Sequence, residues 1–489
     1  MKHLRPRFCR GLPFALLTLA LAGCSLAPEY ERPDPPVAAS YALEAGDMQP
    51  KPQEGAAADI GWRDFFRDPL LQQLIEIALH NNRDLRKAAL NVEAARALYR
   101  IQRAAVLPNL SVSASGASER TPQDLATSPG DRITRRHDLA GVTTAWELDL
   151  WGRLRSLNDQ ALAAYLALEE NRIAAQLSLV AEVANAYLTL RADRELLSLT
   201  QATLATQKRS YALTAELAEA GNATQLDLRL AEIALLNAQA KLSVYTRQVS
   251  RDRNALVLLL GQPPDPALSS RLDAATTLPQ DILASDLPVG LPSGLLVRRP
   301  DIRAAEQMLR GANANIGAAR AAFLPAISLT GSAGTASASL DGLFDSGSGA
   351  WAFLPQITLP LFRAGALRAN LDAAHVKKRL EIANYEQSIQ IAFREVADAL
   401  AGKRTLDDQI RFEQLAVLAS RKAHELAASR FREGVGDYLS VLDAYRSLYG
   451  AQQSLIRTRL ARLNNLIDLY KALGGGWSEH TVPAPAGEG

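Results

Sequence analysis

Between Trp151-Gly152 and Gly221 nothing in the sequence breaks a helical pattern, so the spacing predicts one continuous helix of about 70 residues. At about 1.5 Å per residue such a helix is roughly 100 Å long, more than a compact domain can enclose. The same plan recurs later in the chain. The stretch Ala218-Glu219-Ala220-Gly221-Asn222-Ala223-Thr224-Gln225-Leu226-Asp227 corresponds to Arg432-Glu433-Gly434-Val435-Gly436-Asp437-Tyr438 and its continuation to Arg446, at an offset of 213 positions. Gly221 and Gly434 are suited to the left-handed conformation that ends a helix, and Thr224 and Asp437 are suited to cap the next one. A long helical hairpin, used twice, is therefore the frame of the chain.

The other segments repeat as well. Arg103-Ala104-Ala105-Val106-Leu107-Pro108 matches Arg320-Ala321-Ala322-Phe323-Leu324-Pro325 at an offset of 217, and Ala238-Gln239 matches Ala451-Gln452 at 213. The first repeat, 61–261, opens with a helix begun by Asp68-Pro69 and broken at Asn81-Asn82, and a second helix follows from Asp84 to Ala105. Alternation then replaces helical spacing. Leu110, Val112 and Ala114 alternate with Ser111, Ser113 and Ser115, a polar loop is expected over 119–136, and Val142, Thr144, Trp146, Leu148 and Leu150 are expected on one face of a second strand. A proline- and aspartate-rich linker, 262–296, precedes the second repeat, 297–474. There Ile327 and Leu329 alternate with Ser328 and Thr330, and Phe353, Ile357, Leu359 and Leu361 are expected to share a face. Residues 475–489 are read as a C-terminal tail. Trp146, Trp151 and Trp351 flank the strands, where a membrane interface and ordinary packing both suit them.

The N-terminus adds an address. A basic start, an apolar run from Phe14 to Ala22 and Leu21-Ala22-Gly23-Cys24 read as a signal peptide, 1–23, ending in a lipobox. Cys24 is then the site of lipidation and the single cysteine of the mature chain, which excludes an internal disulfide. Loss of Lys2, Arg5, Arg7 and Arg10 leaves 50 basic against 52 acidic residues, and a near-neutral chain without a basic block gives no support for nucleic-acid binding. Residues 24–60 contain six prolines after Cys24 and read as an extended tether.

Four strands with a lipid-compatible face cannot stand alone in a membrane. Each unpaired backbone group in hydrocarbon costs several kcal/mol, so the sheet must close. Small barrels need about eight strands, so closure requires further copies of the chain; two, three and four copies all satisfy the argument.

Leu-Ala-Gly-Cys, Gly61-Trp62-Arg63-Asp64-Phe65-Phe66, Arg298-Arg299-Pro300-Asp301-Ile302-Arg303, Asp437 to Arg446 and Lys471-Ala472-Leu473-Gly474-Gly475-Gly476-Trp477 resemble the TolC-like outer-membrane factors. The resemblance is closest to their lipidated OprM-like, or NodT, branch. It implies an α+β membrane protein: a homotrimer with a 12-stranded outer-membrane β-barrel continuous with a long periplasmic α-helical barrel. It further implies an exit duct for a tripartite, RND-type efflux system, working with a periplasmic adaptor and an inner-membrane pump. The covalent lipid on Cys24 is the one non-protein group expected, and no cofactor or metal is.

Carried over onto matching positions, Leu439 and Asp443 form the gate constriction. They lie four residues apart, hence on one helix face. Three copies of Asp443 near an axis would repel one another and favour a proton or a bound cation. The residues alone favour the plainer reading, in which Leu439 packs within the hairpin and Asp443 pairs with Arg446, and the resemblance favours the gate. Asp227 matches an acidic latch position, but Thr224-x-x-Asp227 is also close to a capping box. Some relatives carry a basic residue where this chain has Gly436, so Arg432 or Arg446 would have to serve as the latch partner. Gly221, Gly434 and Tyr438 complete the turns that support the gate.

Other classes fit less well. His80, His137, His375, His424 and His480 are scattered without metal-ligand spacing, and Gly474-Gly475-Gly476 lacks the Lys-Ser/Thr of a phosphate loop. A type I secretion channel and a lipidated periplasmic adaptor are the alternatives, and the adaptor class lacks two strand-bearing halves.

Overall fold

The computed structural model describes residues 25–38, 40–41, 57–122, 124, 133–279, 281–284, 287–288 and 292–481. The signal peptide and Cys24 lie outside the described residues. The elements run α1 (Trp62–Phe65), α2 (Pro69–Asn81), α3 (Arg83–Ala104), β1 (Leu110–Arg120), β2 (Ile133–Leu148), α4 (Arg153–Glu219) and α5 (Gln225–Leu260). They continue α6 (Pro266–Ala274), α7 (Pro292–Arg298), α8 (Pro300–Ala321), β3 (Ala326–Ser337), β4 (Gly349–Thr358), α9 (Ala366–Arg432) and α10 (Tyr438–Ala472). Both long helices are 67 residues without a break.

One compact unit comprises residues 25–34, 91–168 and 304–386 and carries the sheet. The sheet has the order β1-β2-β3-β4, all antiparallel, and β1 and β4 are its unpaired edges. The register sorts its side chains. Leu110, Val112 and Ala114 share a face with Leu139, Leu329, Ile327, Trp351, Phe353 and Ile357, whereas Ser111, Ser113 and Ser115 fall with Asp138, Ser328, Thr330, Ser332 and Gln356.

Two expectations for β2 change. The ladder runs out to Arg120 and Ile133, so the polar loop is shorter than 119–136. Val142 also does not share a face with Trp146. The register shifts between Thr143 and Trp146, where Thr144 and Ala145 oppose Thr330 alone. Ala145 has φ 47° and donates its N–H to Thr330 Oγ1 at 3.0 Å. This β-bulge flips the parity, putting Thr143 and Gly141 on the apolar face and Val142 on the serine face. Leu359 and Leu361 lie beyond the end of β4. At the base of the sheet Trp146 and Trp151 donate to the Val106 and Pro325 carbonyls, and Arg153 pairs with Glu147, while Trp351 is exposed.

The second unit comprises residues 35–90, 169–303 and 387–481. Asp68 caps α2 by accepting from Leu70 N–H at 2.8 Å, and its other oxygen accepts from the Tyr187 hydroxyl at 2.7 Å. Phe65 and Phe66 are fully buried, and Phe65 stacks on Tyr470 at 3.9 Å. The linker is more ordered than its composition implies. Asp265 caps α6 ahead of Pro266, Arg194 pairs with Asp273, and Glu195 accepts from Leu278 N–H. The tail likewise packs: Trp62 and Arg63 donate their N–H groups to the Ser478 and Glu479 carbonyls.

Candidate functional site: the two glycine turns

The turn between α9 and α10 is built from its backbone. Gly434 has φ 74°, and the N–H groups of Gly434 and Val435 bond to the Phe431 and Arg430 carbonyls at 3.1 and 3.0 Å. This double closure satisfies carbonyls that the end of α9 would leave open. Its twin repeats the geometry at Gly221, φ 77°, with Gly221 and Asn222 bonding to Ala218 and Leu217. A Cβ at Gly436 would lie 3.0 Å from Arg430 Cβ, so the close turn leaves little room for a side chain there.

Asp437 caps α10 through Ser440 N–H at 2.6 Å, and that bond holds its carboxyl below the usual range. The first turn of α10 then splits into two faces. Tyr438 and Leu442 are buried with Ala231, and Tyr211, Leu230, Ala234 and Phe431 close the cluster. Leu439 is 56% exposed and Asp443 is exposed one helical turn on. Leu439 thus does not pack in the hairpin, and Asp443 forms no ion pair with Arg446 among the described residues.

The acid and bases singled out near the turns are not brought together within the chain. Thr224 Oγ1 accepts from Asp227 N–H at 3.1 Å and Asp227 Oδ2 accepts from Thr224 N–H at 3.0 Å, a complete capping box. Arg432 Nε donates to the Ala428 carbonyl at 3.3 Å. Arg446 borders a cavity of about 260 Å³ with Lys241, Gln207 and Tyr445.

A seam of hydroxyl groups joins α10 to α4. The Tyr438 and Tyr449 hydroxyls lie 3.1 and 2.8 Å from Ser210 Oγ and Thr200 Oγ1, and Tyr445 lines one cavity with Thr203. Tyrosines at 438, 445 and 449 thus face hydroxyl side chains on α4, running the opposite way. The spacing of seven and four was the available signal, and it needs both hairpins to be read together.

The outer membrane efflux protein family matches the chain over residues 74–262 and 291–475. The chain belongs to that family. This outer membrane efflux protein is 47% identical over 475 residues to the toluene efflux pump outer membrane protein TtgC of Pseudomonas putida, covering 97% of each chain. It is 44% identical over 481 residues to outer membrane protein OprJ of Pseudomonas aeruginosa, again covering 97% of each. Among solved structures, the open state of the MtrE outer membrane channel of Neisseria gonorrhoeae superposes with a TM-score of 0.82 at 40% identity, covering 94% of this chain and all of that one. The outer membrane efflux protein therefore has the fold of the outer-membrane channels, and its place is the outer membrane with its helices in the periplasm.

Proposed function

We propose that three copies of the chain close into one 12-stranded barrel and helical tunnel, the passive exit duct of a tripartite efflux system. The observation that carries closure by copies is the sheet, with two open edges, one apolar face and one serine-rich face; three copies is the number the family resemblance implies. Open edges in hydrocarbon cost several kcal/mol per unpaired group, and joining β4 of one copy to β1 of the next removes them all. Apolar side chains left exposed on α5 (Leu226, Ile233, Leu236) and α9 (Leu415, Leu418, Leu426) supply seams for neighbouring copies. A periplasmic adaptor and an inner-membrane pump, of RND type, deliver the cargo, and Cys24 carries the covalent lipid. Small organic molecules are the cargo class we favour, since TtgC is named for toluene efflux. The duct does no chemistry of its own.

Leu439 and Asp443 form the constriction in this reading, because both are exposed on a face of α10 about 100° round from its buried Tyr438 and Leu442. The double variant Leu439→Ala/Asp443→Ala is expected to raise single-channel conductance in planar bilayers; unchanged conductance rejects these two residues as the gate. Recovery of the protein in the inner-membrane fraction would sink the duct itself.

A further inference from the structure

The described N-terminal residues are extended, as their prolines require, yet they are docked. Arg320 donates to the Leu26 carbonyl at 3.1 Å, Asn313 Nδ2 to the Pro28 carbonyl at 2.7 Å, and the Arg310 guanidinium lies 5.0 Å from the centre of the Tyr30 ring. Glu306 then closes the series: Arg32 donates to both of its oxygens, at 3.0 and 2.8 Å, Arg310 donates at 2.9 Å and the Tyr30 hydroxyl at 3.2 Å. Successive strap residues meet α8 in reverse order. Six residues of extended chain and the fourteen helical residues from 306 to 320 both span about 20 Å, so the two rises match along the whole contact.

Two features mark a built groove. The Glu306 side chain is 6% exposed although it is a carboxylate, which is tenable because three donors converge on it. At Gly317 an added Cβ would come within 2.8 Å of Ala27 N and 2.6 Å of Ser156 Oγ, so the strap lies against bare backbone there. Lys378 on α9 fixes Asn313 by donating to its Oδ1 at 2.7 Å, leaving the amide N–H₂ for the strap.

We propose that α8 carries a dedicated peptide groove for the strap Leu26–Arg32, locked by Glu306 as its positioning residue, and that docking does not depend on the acyl chain. Arg320, which holds Leu26, is one residue from the end of α8, and β3 starts at Ala326. Residue 24 is within about 7 Å of chain from Leu26, so the groove delivers the acylated end to the base of the sheet. The delivery clause rests on the lipidated reading of Cys24; the groove does not.

The test is limited proteolysis of the purified full-length protein in detergent by a glutamate-specific protease, read as the rate of cleavage after Glu29 and Glu31, with the mass of the N-terminal peptide measured in parallel. Arg32→Gln acts from the strap alone and leaves α8 intact; Glu306→Gln acts from the groove. Each is expected to speed strap cleavage by about tenfold or more, the effect of losing charge-assisted bonds, while Cys24→Ser leaves it unchanged. Persistent protection in both Arg32→Gln and Glu306→Gln overturns the lock, and release of the strap by Cys24→Ser alone overturns its independence from lipid. An N-terminal peptide without acyl mass in the wild type overturns the lipidation reading, while the cleavage pattern still decides the groove.

Discussion

Single side chains at the turns and in the seam divide sharply between exposure and burial. Tyr438 sits in the buried cluster with its hydroxyl on Ser210, so Tyr438→Phe loses one hydrogen bond and about 1 kcal/mol of local stability. Hydrogen exchange in the first turns of α10 should quicken about fivefold, and exchange at the wild-type rate would show that the bond is not formed. Two carboxylates set opposite pH responses. Burial raises Glu306, but the hydrogen bonds and charges of Arg310 and Arg32 outweigh it and hold the group below its usual value, with Tyr30 and Tyr385 as the other titratable groups facing it. Its contribution is present above the ordinary carboxylate range and is lost as pH falls through the lowered value. Asp193 is pushed up to about 7, first by burial and then by hydrogen bonding and charge from Asp252, against Arg457 and Gln248. The native state thus keeps a proton that the unfolded chain releases, and stability declines as pH rises from the ordinary carboxylate range through about 7. Asp252→Asn should shorten that decline at its upper end in thermal unfolding between pH 4 and pH 8; an unaltered profile would rule out the pair.

At the scale of elements, caps and breaks were legible and faces were not always so. Asp68-Pro69, Thr224-x-x-Asp227, Asp437, Gly221 and Gly434 act locally, and each does in the structure what its chemistry dictates. The bulge at Ala145 could not be read, because it arises from pairing with β3, a strand of the other repeat. Ala145→Val disfavours the φ of 47° that the bulge needs, and losing the bulge with both residues kept turns one half of β2 to the wrong side of the sheet. We expect loss of outer-membrane insertion, seen as loss of the protein from the outer-membrane fraction, whereas normal insertion would show that the bulge does not set the faces. Within the linker, Asp265-Pro266 is itself a helix start, and Leu283 bridges to Phe66, a contact between distant residues that no local pattern encodes.

On the scale of the whole molecule, compactness does not follow the repeats. Each unit takes segments from both halves of the sequence, the sheet joining β1-β2 to β3-β4 and the hydroxyl seam joining α4 to α10. Half of the chain therefore lacks the partners it needs to fold, and among the described residues the sheet edges have no partner strand. Native mass spectrometry of the detergent-solubilised protein is expected to give three copies, and Val112→Cys with Phe353→Cys, one on each edge strand, should cross-link into covalent trimers with a short bis-maleimide. A monomer in native spectra, or cross-links confined to one chain, would contradict closure by copies.

The duplication, the two helices that exceed any compact domain, the four strands and the glycine turns are legible in the amino-acid order alone, because they depend on spacing, on caps and on residues that tolerate a left-handed backbone. Pairing across long separations decided the rest. The bulged register of β2, the exposed face of Leu439 and Asp443, the tyrosine seam and the groove that Glu306 locks all join residues from distant parts of the chain. Their partners are fixed only when the two halves pack, and no local pattern encodes which distant side chain will complete a hydrogen bond or bury an apolar ring.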